Sequence, residues 1–188
     1  MDKWLIGKKA DNIPKINNPI FIEGLPGIGN VGKIAVDFLI DQLNPSLIYE
    51  IHSTNFPHSV FVNDDNLIEM PAVRIYLAKT KVGRNLLLLA GDVQPVDESA
   101  SYEFSNLILD IVKKLGCKEV ITLGGIGTAA EPIKPKVYGA AISSISKERY
   151  GKLSKSIIFN KTKADAIIGA TGLLLGLAKL KKMEGSAI

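Results

Sequence analysis

The sequence predicts an α/β fold, a largely parallel sheet with helices on both faces. Two runs, Leu86-Leu-Leu-Leu-Ala-Gly and Glu119-Val-Ile-Thr-Leu-Gly-Gly, are too continuously apolar for half-exposed strands and read as strands covered on both sides. Segments with helical apolar spacing alternate with such runs along the chain. Glycine-rich turns follow two of the strands, at Gly27–Gly32 and Gly124–Thr128. With 188 residues and 46% hydrophobic content, the chain is long enough for one domain with a sizeable core and too apolar for a disordered chain.

Residues 1–19, with Pro14 and Pro19 among scattered lysines, read as an extended lead-in. Ile20 to Glu23 form a short buried strand. From Asn30 to Leu43 the apolar residues Val31, Ile34, Ala35, Phe38, Leu39 and Leu43 recur at helical spacing, with Asp37, Asp41 and Gln42 opposite. Pro45 ends that helix through its restriction of Asn44. Leu47 to Ile51 is a second strand. Ser59 to Asn63 and Leu67 to Met70 flank Asp64-Asp65-Asn66 as a hairpin, an antiparallel insertion that extends to a strand at Val73 to Ala78. After the Leu86 strand, a helix from about Ser99 to Leu115 turns Phe104, Leu107, Ile108, Ile111, Val112 and Leu115 to the core, and Gly116 closes it. Val137 to Ser143 and Ile157 to Phe159 read as strands, whereas Ala140 to Tyr150 fits a helix or an irregular turn equally. Ala164 to Lys182 is the last helix. Its Gly169, Gly172 and Gly176 each cost about 1 kcal/mol relative to alanine, which predicts close packing on the sheet or on another subunit.

The first glycine-rich turn half-matches two phosphate-binding templates. Gly27, Gly29 and Gly32 satisfy G-x-G-x-x-G, whose glycines admit a pyrophosphate to a helix N-terminus. Gly27 through Lys33 follow the Walker pattern until Ile34 stands where a Ser or Thr hydroxyl would ligate magnesium. The acidic residue near dinucleotide spacing, Glu50, falls inside its strand rather than at its end. A purely structural reading is also available: the glycines let the strand turn sharply and its helix pack closely. A second cluster, Asp92, Gln94, Asp97 and Glu98, lies at the carboxyl end of the Leu86 strand. Strand ends of this kind form the ligand rim of open α/β sheets. Gly27, Gly29, Gly32, Lys33, Asp92, Gln94, Gly124 and Gly125 are therefore the candidate ligand-binding residues. Helix capping by Asp97 or Ser99 is the structural alternative for that cluster.

Other chemistries are missing from the pattern. His52 and His58 are the two histidines, no G-x-S-x-G elbow occurs, and no H-x-x-x-H, H-E-x-x-H or C-x-x-C spacing suggests a metal. The lone Cys117 follows Gly116 at a helix-to-strand junction and reads as a small core side chain. A net charge of +4 comes mostly from dispersed lysines, and aromatics are 6%, which argues against nucleic-acid binding. Met1-Asp-Lys-Trp has no leader pattern, and the apolar stretch 166–178 is shorter than the ~20 residues that span a bilayer. The expectation is a soluble, cytoplasmic protein without membrane contact.

Five segments together resemble the proteasome assembly chaperone 2 family in its archaeal branch: EGLPGIGNVGK (23–33), FPHSVFVNDDNLIEMPAVRIY (56–76), LLLLAGDVQP (86–95), GCKEVITLGGIGT (116–128) and GATGLLLGLAKLKKMEG (169–185). The resemblance covers most of residues 20–185 as a single domain over 1–188. It implies a three-layer α/β/α sandwich, phosphorylase/hydrolase-like but without catalytic residues. It further implies a non-enzymatic homo-oligomer that uses no cofactor or metal, binds proteasome α-subunits, and assists core-particle assembly or activation. Relative to that family the chain stops at Ile188, as a further strand would begin, without a hydrophobic-Tyr-X ending. That puts tail-mediated docking in doubt and would leave a sheet edge exposed. The alternative function is a small-molecule or nucleotide-binding enzyme using the glycine-rich crevice, in which phosphate-ligand binding would be lost in Lys33→Ala.

Overall fold

The structure, a computed structural model, describes residues 3–127, 133–159 and 165–188. The chain opens with β1 (Trp4–Lys8), β2 (Ile20–Gly24), a 3-10 turn at Ile28–Asn30, α1 (Val31–Leu43) and β3 (Ser46–Ser53). A small hairpin of β4 (Phe61–Val62) and β5 (Ile68–Glu69) precedes β6 (Val73–Lys79), β7 (Asn85–Gly91) and α2 (Glu98–Lys114). Then come β8 (Glu119–Thr122), β9 (Val137–Tyr138), β10 (Ala140–Ala141), α3 (Ser144–Leu153), β11 (Ile157–Ile158), α4 (Ala170–Leu180) and β12 (Glu184–Ala187).

Among the described residues, eight strands form one sheet in the order β1-β3-β6-β7-β2-β8-β12-β10. The α/β class holds, but the parallel character is confined to the middle. β7, β2, β8 and β12 run parallel, while β1/β3, β3/β6, β6/β7 and β12/β10 pair antiparallel. The reason lies in the connections. Strands β6 and β7 are joined by the tight Thr80–Arg84 turn, where Thr80 O accepts from Gly83 N and Thr80 N donates to Arg84 O. So short a link can only reverse the chain.

The strand β7 shows why its sequence is apolar throughout. Leu87 and Leu89 join a core with Phe21, Val120 and the helical residues Phe104, Ile108, Val112, Leu174 and Ala178. Leu86, Leu88 and Ala90 join a separate core with Val36 of α1, flanked by Leu39, Ile40 and Leu43. Successive side chains point to opposite faces of a strand, so α1 covers one face and α2 with α4 the other. The helix α2 starts where Asp97 Oδ1 accepts from Ala100 N at 2.9 Å and ends at Gly116 with φ +87°.

Several expectations need correction. The lead-in contains a strand, β1, paired with β3 from Trp4↔Ser53 to Lys8↔Tyr49. The hairpin of β4 and β5 forms its own two-stranded sheet, and β6 belongs to the main one. The single strand expected over Val137 to Ser143 divides: β9 pairs with β11, and β10 pairs with β12. The ambiguous segment after Ala140 is helical because Ser143 caps α3, accepting from Ser146 N, while both serine hydroxyls bond Glu184. Glu119 holds the other end of α3 through Arg149 and Tyr150. The final strand is present as β12, paired on both edges, so the expected exposed edge at this position does not exist.

The last helix begins at Ala170, later than expected; Ala164 lies outside the described residues. Gly169 is its cap at φ +81° and not an interior residue. Gly172 is the closely packed glycine, since an added Cβ would meet Ile167 O at 2.0 Å. Among the described residues nothing outside its own helix backbone and chain neighbours lies within 4 Å of a Cβ added at Gly176, so no packing there explains its place in the helix.

Candidate functional site

The strands β2 and β8 are neighbours whose onward connections diverge, β2 through α1 to β3 and β8 toward β12. That is a topological switch point, where open α/β sheets carry their ligand crevice. Both glycine-rich turns lie here, and they lie against each other. A Cβ on Gly32 would stand 2.1 Å from Leu123 O, one on Gly24 2.1 Å from Gly32 O, and one on Gly125 2.1 Å from Ile28 O. Real side chains cannot approach backbone that closely. These three glycines are needed because main chain crosses main chain; Gly32, the third glycine of the motif, does the helix-packing that this position also does in dinucleotide folds, while Gly27, Gly29 and Gly124 stay exposed.

The turn reaches this crossing by two left-handed residues, Gly29 at φ +64° and Asn30 at φ +51°. Gly27 is extended and has room around it, and Gly124 meets only Thr171 at an ordinary 3.5 Å. Thr128, the end of the second turn in sequence, lies outside the described residues. The second turn is tied to the chain end instead: Ile188 N donates to Thr122 O, and Gly124 N donates to Ile188 O at 3.0 Å.

The eight candidate residues divide into separate places. Lys33 bonds Asp37 at 2.8 Å, one helical turn on, within a cleft of about 340 Å³ lined also by Asp41, Arg74, Tyr76 and Asp92. In that cleft Arg74 bridges Glu50 at 3.0 Å and Asp92 at 3.2 Å, so its charge is already answered. Glu50 also meets Lys9 at 2.8 Å; the Lys9 hydrogen bond and the Arg74 guanidinium bring its carboxyl down to about 2. It stands on β3, separated from β2 by β6 and β7, so it cannot serve a ribose at the first turn.

Gln94 occupies a different position. Its Nε2 donates to Pro26 O at 2.8 Å, and its Oε1 accepts from Ala170 N at 3.1 Å. One amide therefore joins the first glycine-rich turn to the N-terminus of α4. Asp97, its neighbour in the predicted cluster, is the cap of α2. Cys117 is buried as expected, with its thiol pushed up to about 11 by that burial.

Reading the sequence passed over Glu23. It is fully buried at the end of β2, and Oε1 accepts from Leu25 N at 3.0 Å and Thr171 Oγ1 at 3.4 Å. Among the described residues Oε2 has no partner, nor does the buried hydroxyl of Thr122, its register neighbour on β8. Burial raises the Glu23 carboxyl to about 8. The available signal was an acid closing the apolar run Ile20-Phe-Ile directly before a glycine.

Comparison with known proteins places this geometry. The model of the PAC2 family matches residues 21–188. This chain belongs to the PAC2 family. PbaB of Pyrococcus furiosus, an archaeal proteasome activator, is 34% identical, with 100% of this chain and 79% of that chain aligned and a TM-score of 0.91. PbaA of the same organism, an archaeal homolog of proteasome-assembly chaperone, is 26% identical over 97% of this chain and 74% of its own, with a TM-score of 0.75. The uncharacterized protein MJ1210 of Methanocaldococcus jannaschii is 33% identical over 181 residues, 96% of this chain and 68% of its own. The sequence-level resemblance to proteasome assembly chaperones is thereby upheld.

Proposed function

We propose that this PAC2-family protein is a non-enzymatic, chaperone-like protein of the cytoplasm. In this reading it forms a homo-oligomer, binds proteasome α-subunits and assists assembly or activation of the core particle. The observation that carries this reading is the start of α1, where Lys33 is already paired with Asp37 at 2.8 Å and exposed Ile34 stands in place of a magnesium-ligating hydroxyl. Two apolar surfaces add to it. On α1, Val31, Ile34 and Phe38 are 51%, 63% and 61% exposed, and the β4–β5 hairpin exposes Phe61, Val62, Leu67, Ile68 and Met70. Clustered exposure of this kind marks protein contacts in general. Among the described residues no helix is long and apolar enough to cross a membrane. The relatives named as proteasome activator and assembly-chaperone homolog supply the partner class.

Affinity capture with archaeal proteasome α-subunits, with light scattering on the same sample, tests this. Retention of α-subunits by a multimer is the expected result. A monomer that captures none and instead binds ATP saturably, with binding lost in Lys33→Ala, would establish the enzyme reading.

A further inference from the structure

The Glu23 carboxyl has an unusual setting for an acid. No part of it is exposed, and among the described residues one oxygen is unpaired and no charged side chain bonds it. From β7 its register partner is Leu89, from β8 Thr122, and from the start of α4 Thr171. The helix α2 brings Phe104 and Ile108 to the same core, and the turn above contributes only the Leu25 amide. Among the described residues no charged group acts on it; desolvation is the leading influence, opposed only by the two hydrogen bonds. An ionised carboxylate in that place would be an uncompensated buried charge, among the costliest arrangements a core can hold.

The layers over Glu23 are the ones Gln94 fastens together. Leu25 and Pro26 form the start of the first turn, and Ala170 and Thr171 start α4; the Gln94 amide bonds both. Leu123 N donates to the Glu23 carbonyl at 2.9 Å, so the second turn rests on the same residue. Solvent can reach the carboxyl only if this cover parts.

We propose that Glu23 is a neutral buried acid beneath a Gln94 clasp, and that its ionisation loosens the joint between the two glycine-rich turns. The acid thus makes the joint pH-sensitive. With the unfolded group at 4.5 and the folded group at about 8, opening or unfolding releases a proton between those values. The stability of the joint is therefore greatest at low pH and falls as pH rises, about tenfold in equilibrium constant per pH unit, levelling off above the folded value.

Three measurements on the full chain test the proposal. Infrared difference spectra of wild type against Glu23→Gln near neutral pH should show a protonated carboxyl in wild type alone. Chemical unfolding from about pH 5 to about pH 8 should lose about tenfold per pH unit in wild type, while Glu23→Gln removes that slope. If the variant fails to fold, hydrogen exchange on wild type alone decides. Protection of the Leu25 and Ala170 amides, corrected for intrinsic exchange, should fall about tenfold per pH unit between about pH 5 and about pH 8. An ionised Glu23 near neutrality, a slope unchanged in Glu23→Gln, or protection of the Leu25 and Ala170 amides that does not change with pH would each overturn it.

Discussion

Gly32 and Ile34 stand on the same turn of α1 in opposite environments. Gly32 is buried with its Cα against β8, whereas Ile34 is 63% exposed. The sequence gives each the reverse appearance. Glycines in a G-x-G-x-x-G turn look like a ligand cradle open to solvent, and an apolar residue at helical spacing looks like core. The structure buries Gly32 against backbone, leaves Gly27 and Gly29 exposed, and exposes Ile34. The helix α1 carries two apolar stripes: Gly32, Val36, Leu39, Ile40 and Leu43 toward the sheet, and Val31, Ile34 and Phe38 away from it. A helix apolar on nearly all sides is normally covered on all sides. A periodicity count merges both stripes into one face, which is how Val31, Ile34 and Phe38 came to be read as core.

The contrast can be broken most severely at the joint. Gly32→Ala forces a Cβ into Leu123 O, where neither backbone can yield, and should cost about 3 kcal/mol in chemical denaturation. Gln94→Leu comes next. It strands Pro26 O and Ala170 N together, for an expected loss of about 2 kcal/mol by the same measurement. Gly176→Ala should move the other way, raising stability by about 1 kcal/mol, because its surroundings are open and the helix gains alanine's propensity. Smallest in stability is the outer stripe. Ile34→Asp with Phe38→Asp should change monomer stability by no more than about 0.5 kcal/mol each. The same pair should lower the mass seen by light scattering, and an unchanged assembly would remove α1 from the contact surface.

The order of elements was legible along the chain because local signals marked it. Gly116 at positive φ, Asp97 as a cap and the unbroken Leu86–Ala90 run each need only their neighbours to be interpreted. The start of α4 was not, since the Gly169 cap is defined by Gln94, far away in sequence. The strand β1 escaped because four of its five residues are exposed; only pairing with β3 makes it a strand. Of the candidate site, the chemistry of single residues was visible and their grouping was not. Lys33 and Asp92 share a cleft, Gln94 joins a turn to a helix, and Gly32 and Gly125 pack on backbone.

By itself the sequence determined the central strands and the helices α1 and α2, and its motifs pointed to the PAC2 family, because those depend on patterning and on residue types at fixed spacing. The tertiary structure alone decided which apolar face of α1 is buried and which glycines of the two turns pack on backbone. Only there does the burial that holds Glu23 as an acid become visible. Each of these depends on what another part of the chain brings within contact distance, and no local pattern encodes that distance.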